Sequence, residues 1–174
     1  RSPATRDGPH RAVDCVVDRD DSCHEIRGGP HIAAADPAGQ KAIPVADSQD
    51  APYWDGAKEG KLVLQHCSGC GLVSARPRVV CPRCHGEAFE WKPVSGKGTI
   101  HSYTIVHQTT ASGFQDEVPY VVCHVQINEE PTCFVTANLL VDQSQFDKLT
   151  ISLPVVVDFE DRGNGVVVPQ WRLA

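Results

Sequence analysis

Two pairs of cysteines constrain this chain more than any other feature. Cys67 and Cys70 form one Cys-x2-Cys pair, Cys81 and Cys84 form a second, and ten residues separate the pairs. Two intervening residues let a tight turn bring both thiolates to one side, and Zn²⁺ takes four such ligands in a tetrahedron. The spacing therefore predicts a zinc ribbon with these four ligands. Four protein ligands leave no open coordination position, so we expect the zinc to be structural rather than catalytic.

The two turns differ in the residue that follows the second cysteine. Gly71 stands there in the first turn, where a left-handed backbone costs little. In the second turn this position is His85 and the glycine comes one residue later, so either His85 adopts that backbone or the turn differs. His66 and His85 are neighbours of the cysteines and are alternative ligands. Iron is the alternative metal, since rubredoxin-like turns share the Cys-x2-Cys spacing, and colour would distinguish a ferric site from a zinc site.

Length, charge and cysteine usage exclude several classes of protein. The chain has 174 residues, with 16 Lys and Arg against 22 Asp and Glu, for a net charge of −6. An acidic domain of this size is unsuited to non-specific binding of duplex DNA or anionic membranes. No apolar stretch reaches the roughly 18 residues of a membrane helix, and the first residues lack a secretory signal. We expect a cytoplasmic protein without a membrane anchor. Of its eight cysteines, the two pairs are expected to bind metal rather than form disulfides, and the other four show no pattern.

The chain divides into three segments, of which the first is the least regular. Residues 1–49 show no sustained hydrophobic period, so we expect an irregular N-terminal extension lying on a partner or on the domain itself. Cys15, Cys23 and His24 could bind a metal together with His10 or His31, but their spacing matches no recognised site.

Residues 50–97 combine a short helix with the predicted ribbon. Asp50 is a candidate N-cap, Tyr53, Trp54 and Ala57 recur at helical spacing, and Gly60 is a stop signal. A strand is expected on each side of each cysteine pair.

The sequence predicts an all-β domain over residues 98–174. The strand-like runs are rich in Val, Ile, Thr and aromatic residues: TIHSYTIVHQ, PYVVCHVQI, TCFVTANLL, LPVVVDFED and GVVVPQWRL. A helical turn, DQSQFDKL, precedes the fourth run. The order predicts a mainly β protein in which helix and ribbon precede a five-stranded OB-type β-barrel, with a β-sandwich as the alternative.

No combination of residues in this sequence indicates an active site. Cys123 and His124 are neighbours on a predicted strand and would point to opposite faces. Cys133 suits a buried position. His101 and His107 would share a strand face with Tyr103, which favours a solvated barrel face over a proton-handling surface.

Positive charge concentrates around the ribbon. Residues 61–100 carry six cations against Glu87 and Glu90, a local charge of +4 in an acidic chain. This charge suits a compact polyanion, such as a phosphorylated small molecule, or serves solubility alone.

The order of these motifs resembles the acyl-CoA-associated zinc-ribbon/OB-fold family. The resemblance rests on YWDGAKEGKLVLQHCSGCG, RPRVVCPRCHG and EWKPVSGKGTIHSYTIVH, continues through PYVVCHVQINEEP, LPVVVDFED and VVVPQWR, and covers residues 50–174. It implies a non-catalytic subunit of a thiolase-like enzyme that makes or cleaves carbon–carbon bonds in CoA thioesters of lipid, sterol or aromatic metabolism. In such a hetero-oligomer the subunit would shape the CoA site, with the four cysteines as zinc ligands. The cations we assign to the CoA phosphates are Arg76, Arg78, Arg83 and Lys97.

Two other functions fit the sequence less well. A single-stranded nucleic-acid binder can be built from a zinc ribbon and an OB barrel, but it needs a basic groove. Residues 98–174 carry three cations against nine acidic residues, which disfavours that function. An independent hydrolase or hydratase lacks candidate catalytic residues.

Overall fold

A computed structural model of the chain describes residues 15–17, 23–25 and 40–174. In the first part, strands β1 (Cys15–Val17) and β2 (Cys23–Glu25) pair antiparallel. Within the predicted irregular extension, residues 40–49 contain no helix or strand, whereas the β1–β2 pair is regular. The remaining residues of the extension, and the side chains of the possible N-terminal metal site, lie outside the described residues. Among the residues that are described, no helix has the length and apolar character needed to cross a membrane.

Helix α1 (Ala51–Lys58) packs against the domain that follows it. Asp50 is its N-cap residue but does not cap it through its side chain; instead its carboxylate accepts from the indole Nε1 of Trp54 at 3.0 Å. Tyr53 packs against the main core, and burial raises its pKa to about 12. Gly60 follows the helix with a positive φ of 70°, as its stop signal predicted.

The ribbon is a three-stranded antiparallel sheet. Strand β3 (Val63–Cys67) lies between β4 (Val73–Ser74) and β5 (Phe89–Pro93). A strand lies on each side of each cysteine pair, as predicted, with β4 shared between the two pairs. Strand β4 is only two residues long, and residues 75–80 before Cys81 contain no strand.

The C-terminal strands close into a barrel. They are β6 (Lys97–Val106), β7 (Tyr120–Ile127), β8 (Phe134–Leu139), β9 (Pro154–Asp161) and β10 (Val167–Leu173). The order around the barrel is β6-β7-β8-β10-β9, β9 pairs back to β6, and the β8–β10 pairing is parallel. This is the five-stranded OB arrangement. A 3-10 helix (Gln143–Lys148) precedes β9, so the OB prediction is confirmed and the β-sandwich alternative is wrong.

Alternation along β7 separates the barrel core from its outer face. Val121, Cys123 and Val125 are almost completely buried, whereas the intervening side chains, including His124, are partly exposed. Cys123 and His124 therefore point to opposite faces, as predicted, and cannot form a dyad with each other.

A β-bulge at His101 overturns one sequence-based expectation. The β6–β7 register shifts between Ile100 and Ser102, so Ile100 and Tyr103 both face the core although they are three residues apart. The Tyr103 hydroxyl donates to the Leu149 carbonyl at 2.8 Å. The expectation that His101, Tyr103 and His107 share a face is wrong, because the extra residue changes the parity of the strand, and His107 lies beyond its end.

Candidate metal centre and the groove beside it

The four ribbon cysteines converge on one point. The Sγ atoms of Cys67, Cys70, Cys81 and Cys84 all lie within 4.8 Å of one another. The Cys67–Cys84 and Cys70–Cys81 sulfur pairs are 3.5 and 3.6 Å apart. Four sulfurs at about 2.3 Å from a central Zn²⁺ would be about 3.8 Å apart along each edge of the tetrahedron. The cluster is therefore suited to zinc with only small adjustments of the side chains.

Both turns of the cluster share the same backbone pattern. The amide of Gly71 donates to the Cys67 carbonyl and the amide of His85 donates to the Cys81 carbonyl, each at 2.8 Å. Gly71 has a φ of 73° and His85 a φ of 59°, so the two residues occupy equivalent left-handed positions. His85 thus adopts the glycine-like backbone, which answers the question left open by the displaced glycine.

Backbone amides directed at the sulfurs favour a thiolate. Burial raises the pKa of the Cys81 thiol, but the N–H groups of Cys84 and Arg83 and the neighbouring thiols outweigh it and lower this pKa to about 6. Since the thiolate is the form that binds a metal, these contacts favour Cys81 as a ligand.

The two histidines beside the cluster contribute no ligand atom to it. Among the described residues the convergent group contains the four cysteines alone. His66 lies on β3, with Nε2 buried and without a hydrogen-bond partner there. Burial, with the nearby Lys92 cation, lowers the pKa of His66.

The four cations assigned to CoA phosphates separate into different places. Arg76 and Arg78 line one groove, whereas Arg83 donates to the buried carboxylate of Glu130 at 3.0 Å. Lys97 begins β6, opposite Val156 of β9, and is not part of the groove lining. Only the first two cations are thus brought together.

That groove, hereafter the ribbon–barrel groove, has a volume of about 420 Å³. Its lining residues are Leu72, Val73, Ser74, Ala75, Arg76, Arg78 and Pro82 from the ribbon, and His124, Thr132, Cys133 and Phe134 from the barrel. The sequence-based assignment missed the barrel wall, although the alternation of β7 would have placed His124 outside the core.

An aromatic cluster forms part of the barrel wall of the groove. The Phe134 and His124 rings stack at 4.9 Å and 11°, and the His101 ring lies 4.7 Å from Phe134. His124 Nδ1 is 2.6 Å from the Thr136 hydroxyl, a contact that orients the imidazole.

The buried thiols of the barrel are not suited to nucleophilic catalysis. Burial raises the pKa of Cys123 to about 12 and that of Cys133 to about 11. Both side chains belong to the main hydrophobic core. The prediction that Cys133 is buried agrees with this position. The thiolate that would act as a nucleophile is therefore scarce at neutral pH.

Comparison with known proteins identifies both parts of this fold. The family model described as "ChsH2, rubredoxin-like zinc ribbon domain" matches residues 54–90, and "ChsH2, C-terminal OB-fold domain" matches residues 91–160. The solved structure "Ltp2-ChsH2(DUF35) aldolase" superposes with a TM-score of 0.65 at 28% identity, covering 75% of this chain and 98% of that one.

Curated relatives carry two kinds of name. A "Probable enoyl-CoA hydratase alpha subunit" of Thermomonospora curvata is 32% identical over 140 residues, which is 79% of this chain and 41% of the relative. A "DUF35 domain-containing scaffold protein" of Methanothermobacter thermautotrophicus is 43% identical over 70 residues, 39% of this chain and 51% of the relative. This chain thus spans about half the length of these relatives or less. Because consecutive ChsH2 family models account for the ribbon and most of the barrel, the chain belongs to the ChsH2 family of rubredoxin-like zinc-ribbon and OB-fold proteins.

Proposed function

We propose that this chain is a non-catalytic, zinc-stabilised subunit of an acyl-CoA-processing complex, with a thiolase-like or aldolase-type enzyme as its partner. The observation that carries the proposal is the likeness to the solved structure named "Ltp2-ChsH2(DUF35) aldolase". The relative named as a hydratase subunit supports CoA thioesters as the substrate class.

The chemistry of the described residues supports a non-catalytic role. The cysteine cluster supplies four ligands and leaves a zinc ion no open position for substrate. The barrel thiols are buried within the core, and His124 is separated from Cys123 by the barrel wall. In this proposal the structural Zn²⁺ holds the two cysteine turns together, and the partner supplies the groups that react.

An exposed apolar segment of the ribbon offers a surface for such a partner. Val79 is 75% exposed and Val80 46% exposed, directly before the second cysteine pair. Tyr53 on the preceding helix packs on the core and is less suited to that role. Apolar anchors with neighbouring arginines, here Arg78 and Arg83, are typical of protein interfaces.

Reconstitution tests the proposal. Cleavage of a CoA thioester is measured with the partner enzyme alone, with this chain alone and with both, using genomically neighbouring thiolase-like proteins as partners. We expect activity only in the mixture, or a large increase in it. Turnover by this chain alone, or a partner that is fully active and stable without it, would contradict the proposal.

A pair of variants locates the interface. Val79→Asp should abolish co-purification and activation while leaving zinc content unchanged, because a charge replaces an exposed apolar contact. Ile151→Asp makes the same change at another exposed position, 64% exposed, and should have little effect. Equal behaviour of the two variants would argue against the ribbon segment as the contact.

A further inference from the structure

A short strap, defined as residues 40–43, lies against the barrel before the chain enters helix α1. It lines two neighbouring cavities of about 360 and 440 Å³, and Lys41 and Glu160 line both of them. The first cavity reaches the β6–β7 connection, residues 107–119, and the second reaches the β9–β10 connection, residues 162–166. These are the two connections with which OB barrels bind ligands. The strap therefore occupies the position of a ligand in this fold.

The ammonium group of Lys41 is held as a bound cation would be. Its Nζ lies 2.6 Å from Oε1 of Glu117 and 3.2 Å from Oε1 of Glu160. The same Nζ lies 4.8 Å from the centroid of the Phe114 ring. Because the Lys41 side chain is only 19% exposed, water screens these contacts less than it would at the surface. Two carboxylates and an aromatic face are groups that recognise an ammonium.

The strap backbone fits closely against the β6–β7 connection. Gly113 has a φ of 75°, and a Cβ built on it would overlap the backbone of Gln40 and Lys41. The glycine thus leaves room for a peptide backbone to approach. Residues 107–119 contain no helix or strand, and connections of this length usually carry a function. Both the side chain and the backbone of the strap are therefore accommodated.

The strap leaves one donor of this site without an acceptor. The Arg162 side chain is 8% exposed, pairs with Glu160 at 2.9 Å and lies 5.5 Å from the Phe114 ring centroid. Its Nε is buried and has no hydrogen-bond partner among the described residues. Arg162 lines the second cavity, so a peptide that places a carbonyl there would satisfy this donor. Such a peptide would bind better than the strap does.

From these contacts we infer that the barrel carries a binding site for an extended peptide with a lysine anchor, and that the strap occupies this site as a displaceable internal ligand. A lysine-bearing segment of a partner protein is the class of ligand that would replace it. Displacement would free the chain before α1 and release the β6–β7 connection. This inference does not depend on the proposed function.

Charge favours a basic ligand over an anionic one at this site. Without Lys41, Arg162 is the cation that remains in the lining of the two cavities. The carboxylates in that lining are Glu117, Asp142, Glu160 and Asp161. A phosphorylated ligand would be repelled by them, whereas a lysine or arginine side chain would be attracted.

Fluorescence polarisation with a labelled peptide tests the inference on the full zinc-loaded chain. The peptide AGQKAIPVA repeats residues 38–46. In the parent, the tethered strap competes with it at an effective concentration in the millimolar range. In Lys41→Ala the strap loses its anchor, so this variant should bind the peptide about tenfold or more tightly than the parent. Thermal unfolding and zinc content verify that each variant is folded.

Two controls separate the lysine anchor from a general effect of charge. The peptide AGQAAIPVA lacks the ammonium and should bind Lys41→Ala about tenfold more weakly than AGQKAIPVA does. Lys58→Ala also removes one cation from the chain, but this lysine pairs with Asp55 on the exposed surface of α1. It should therefore bind AGQKAIPVA as weakly as the parent.

Trypsin, which cleaves after lysine, gives a second measurement without added peptide. Cleavage follows the population of the open form, so a Lys41 side chain held in the site should be protected. Glu117→Gln combined with Glu160→Gln removes both charges from the anchor and should speed cleavage after Lys41 about tenfold or more. Asp55→Asn breaks the surface pair with Lys58 and should leave that cleavage rate unchanged.

Three results would overturn the inference. They are equal affinity of the parent and Lys41→Ala for AGQKAIPVA, equal binding of the two peptides by Lys41→Ala, and an unchanged rate of cleavage after Lys41 in the double glutamine variant. Any of them would make the strap a fixed part of the fold. Because none of these measurements involves turnover, the accessory-subunit proposal would stand or fall separately.

Discussion

The two left-handed positions of the ribbon allow a test in which two substitutions should change the free energy of unfolding in opposite directions. Gly71 and His85 follow the second cysteine of each turn with φ values of 73° and 59°. A non-glycine residue in this region costs about 1–2 kcal/mol, whereas glycine costs roughly 0.5–1 kcal/mol in unfolded-state entropy. His85→Gly should therefore stabilise the protein by about 0.5–1 kcal/mol, and Gly71→Ala should destabilise it by a similar amount.

The surroundings of the two residues keep other effects small. A Cβ built on Gly71 would meet nothing within 4 Å, so the expected loss in Gly71→Ala is conformational rather than steric. The His85 side chain is exposed, and its ring makes no hydrogen bond to a described residue. Its removal therefore costs little packing. His85→Asn is a useful third variant, because asparagine tolerates the left-handed region and retains a polar side chain.

The midpoint temperature of thermal unfolding, measured with excess zinc, compares the stability of each variant with that of the parent protein. For a chain of this length, changes of this size correspond to shifts of about 1–4 °C, upward for His85→Gly and downward for Gly71→Ala. Zinc content and competition with a chelator establish that both variants remain loaded. Shifts of the same sign, or a neutral Gly71→Ala, would refute the argument that backbone conformation at these positions limits stability.

Three further predictions concern the metal and the contact between ribbon and barrel. Cys81→Ser or strong chelation should unfold the ribbon, since structural zinc contributes about 10 kcal/mol or more in small sites; fresh folded protein with less than one metal ion per chain would contradict this. The purified protein should be colourless with zinc as its metal, and a red protein containing iron would be the opposite result. Arg83→Ala should lower the free energy of unfolding by about 1–3 kcal/mol in urea titrations, because it leaves the Glu130 carboxylate, 8% exposed, without its cation. Burial alone would raise the pKa of Glu130, but the Thr132 contacts and then Arg83 outweigh it and lower this pKa below the usual value of a glutamate. The stabilisation is therefore present at neutral pH and is lost as the pH falls through the lowered pKa; this loss should be smaller in the variant, which keeps only the Thr132 contacts.

The ribbon and the barrel were both predictable from local sequence patterns. Two Cys-x2-Cys pairs specify a metal-bound turn by chemistry, and the strand runs bounded by Gly, Pro and Asn gave five strands in their correct order. The helix stop at Gly60 and the helical turn before β9 were also evident, because each depends on residues close in sequence.

The assignment of the cations was only partly predictable, because their roles depend on contacts distant in sequence. No local sequence pattern distinguishes the role of Arg83 from that of Arg78. In the structure, however, Arg83 pairs with Glu130, 47 residues away, and Arg78 lines the groove. Net charge over residues 61–100 identified a basic region but carried no information on which cations have partners. The Glu130 contact was missed because no local pattern distinguishes a buried glutamate in a turn from an exposed one.

The bulge at His101 explains why the outer aromatic cluster escaped prediction. Strict alternation groups His101 with Tyr103, whereas the inserted residue directs Tyr103 into the core and leaves His101 outside with Phe134. A bulge adds one residue without changing composition or hydrophobic content, so periodicity alone cannot locate it. The register shift against β7 reveals it, together with the packing of Ile100 and Tyr103, three residues apart, against one core. Without that shift, His101 would lie on the face of Tyr103, and the contact of its ring with Phe134 at the edge of the groove would be lost.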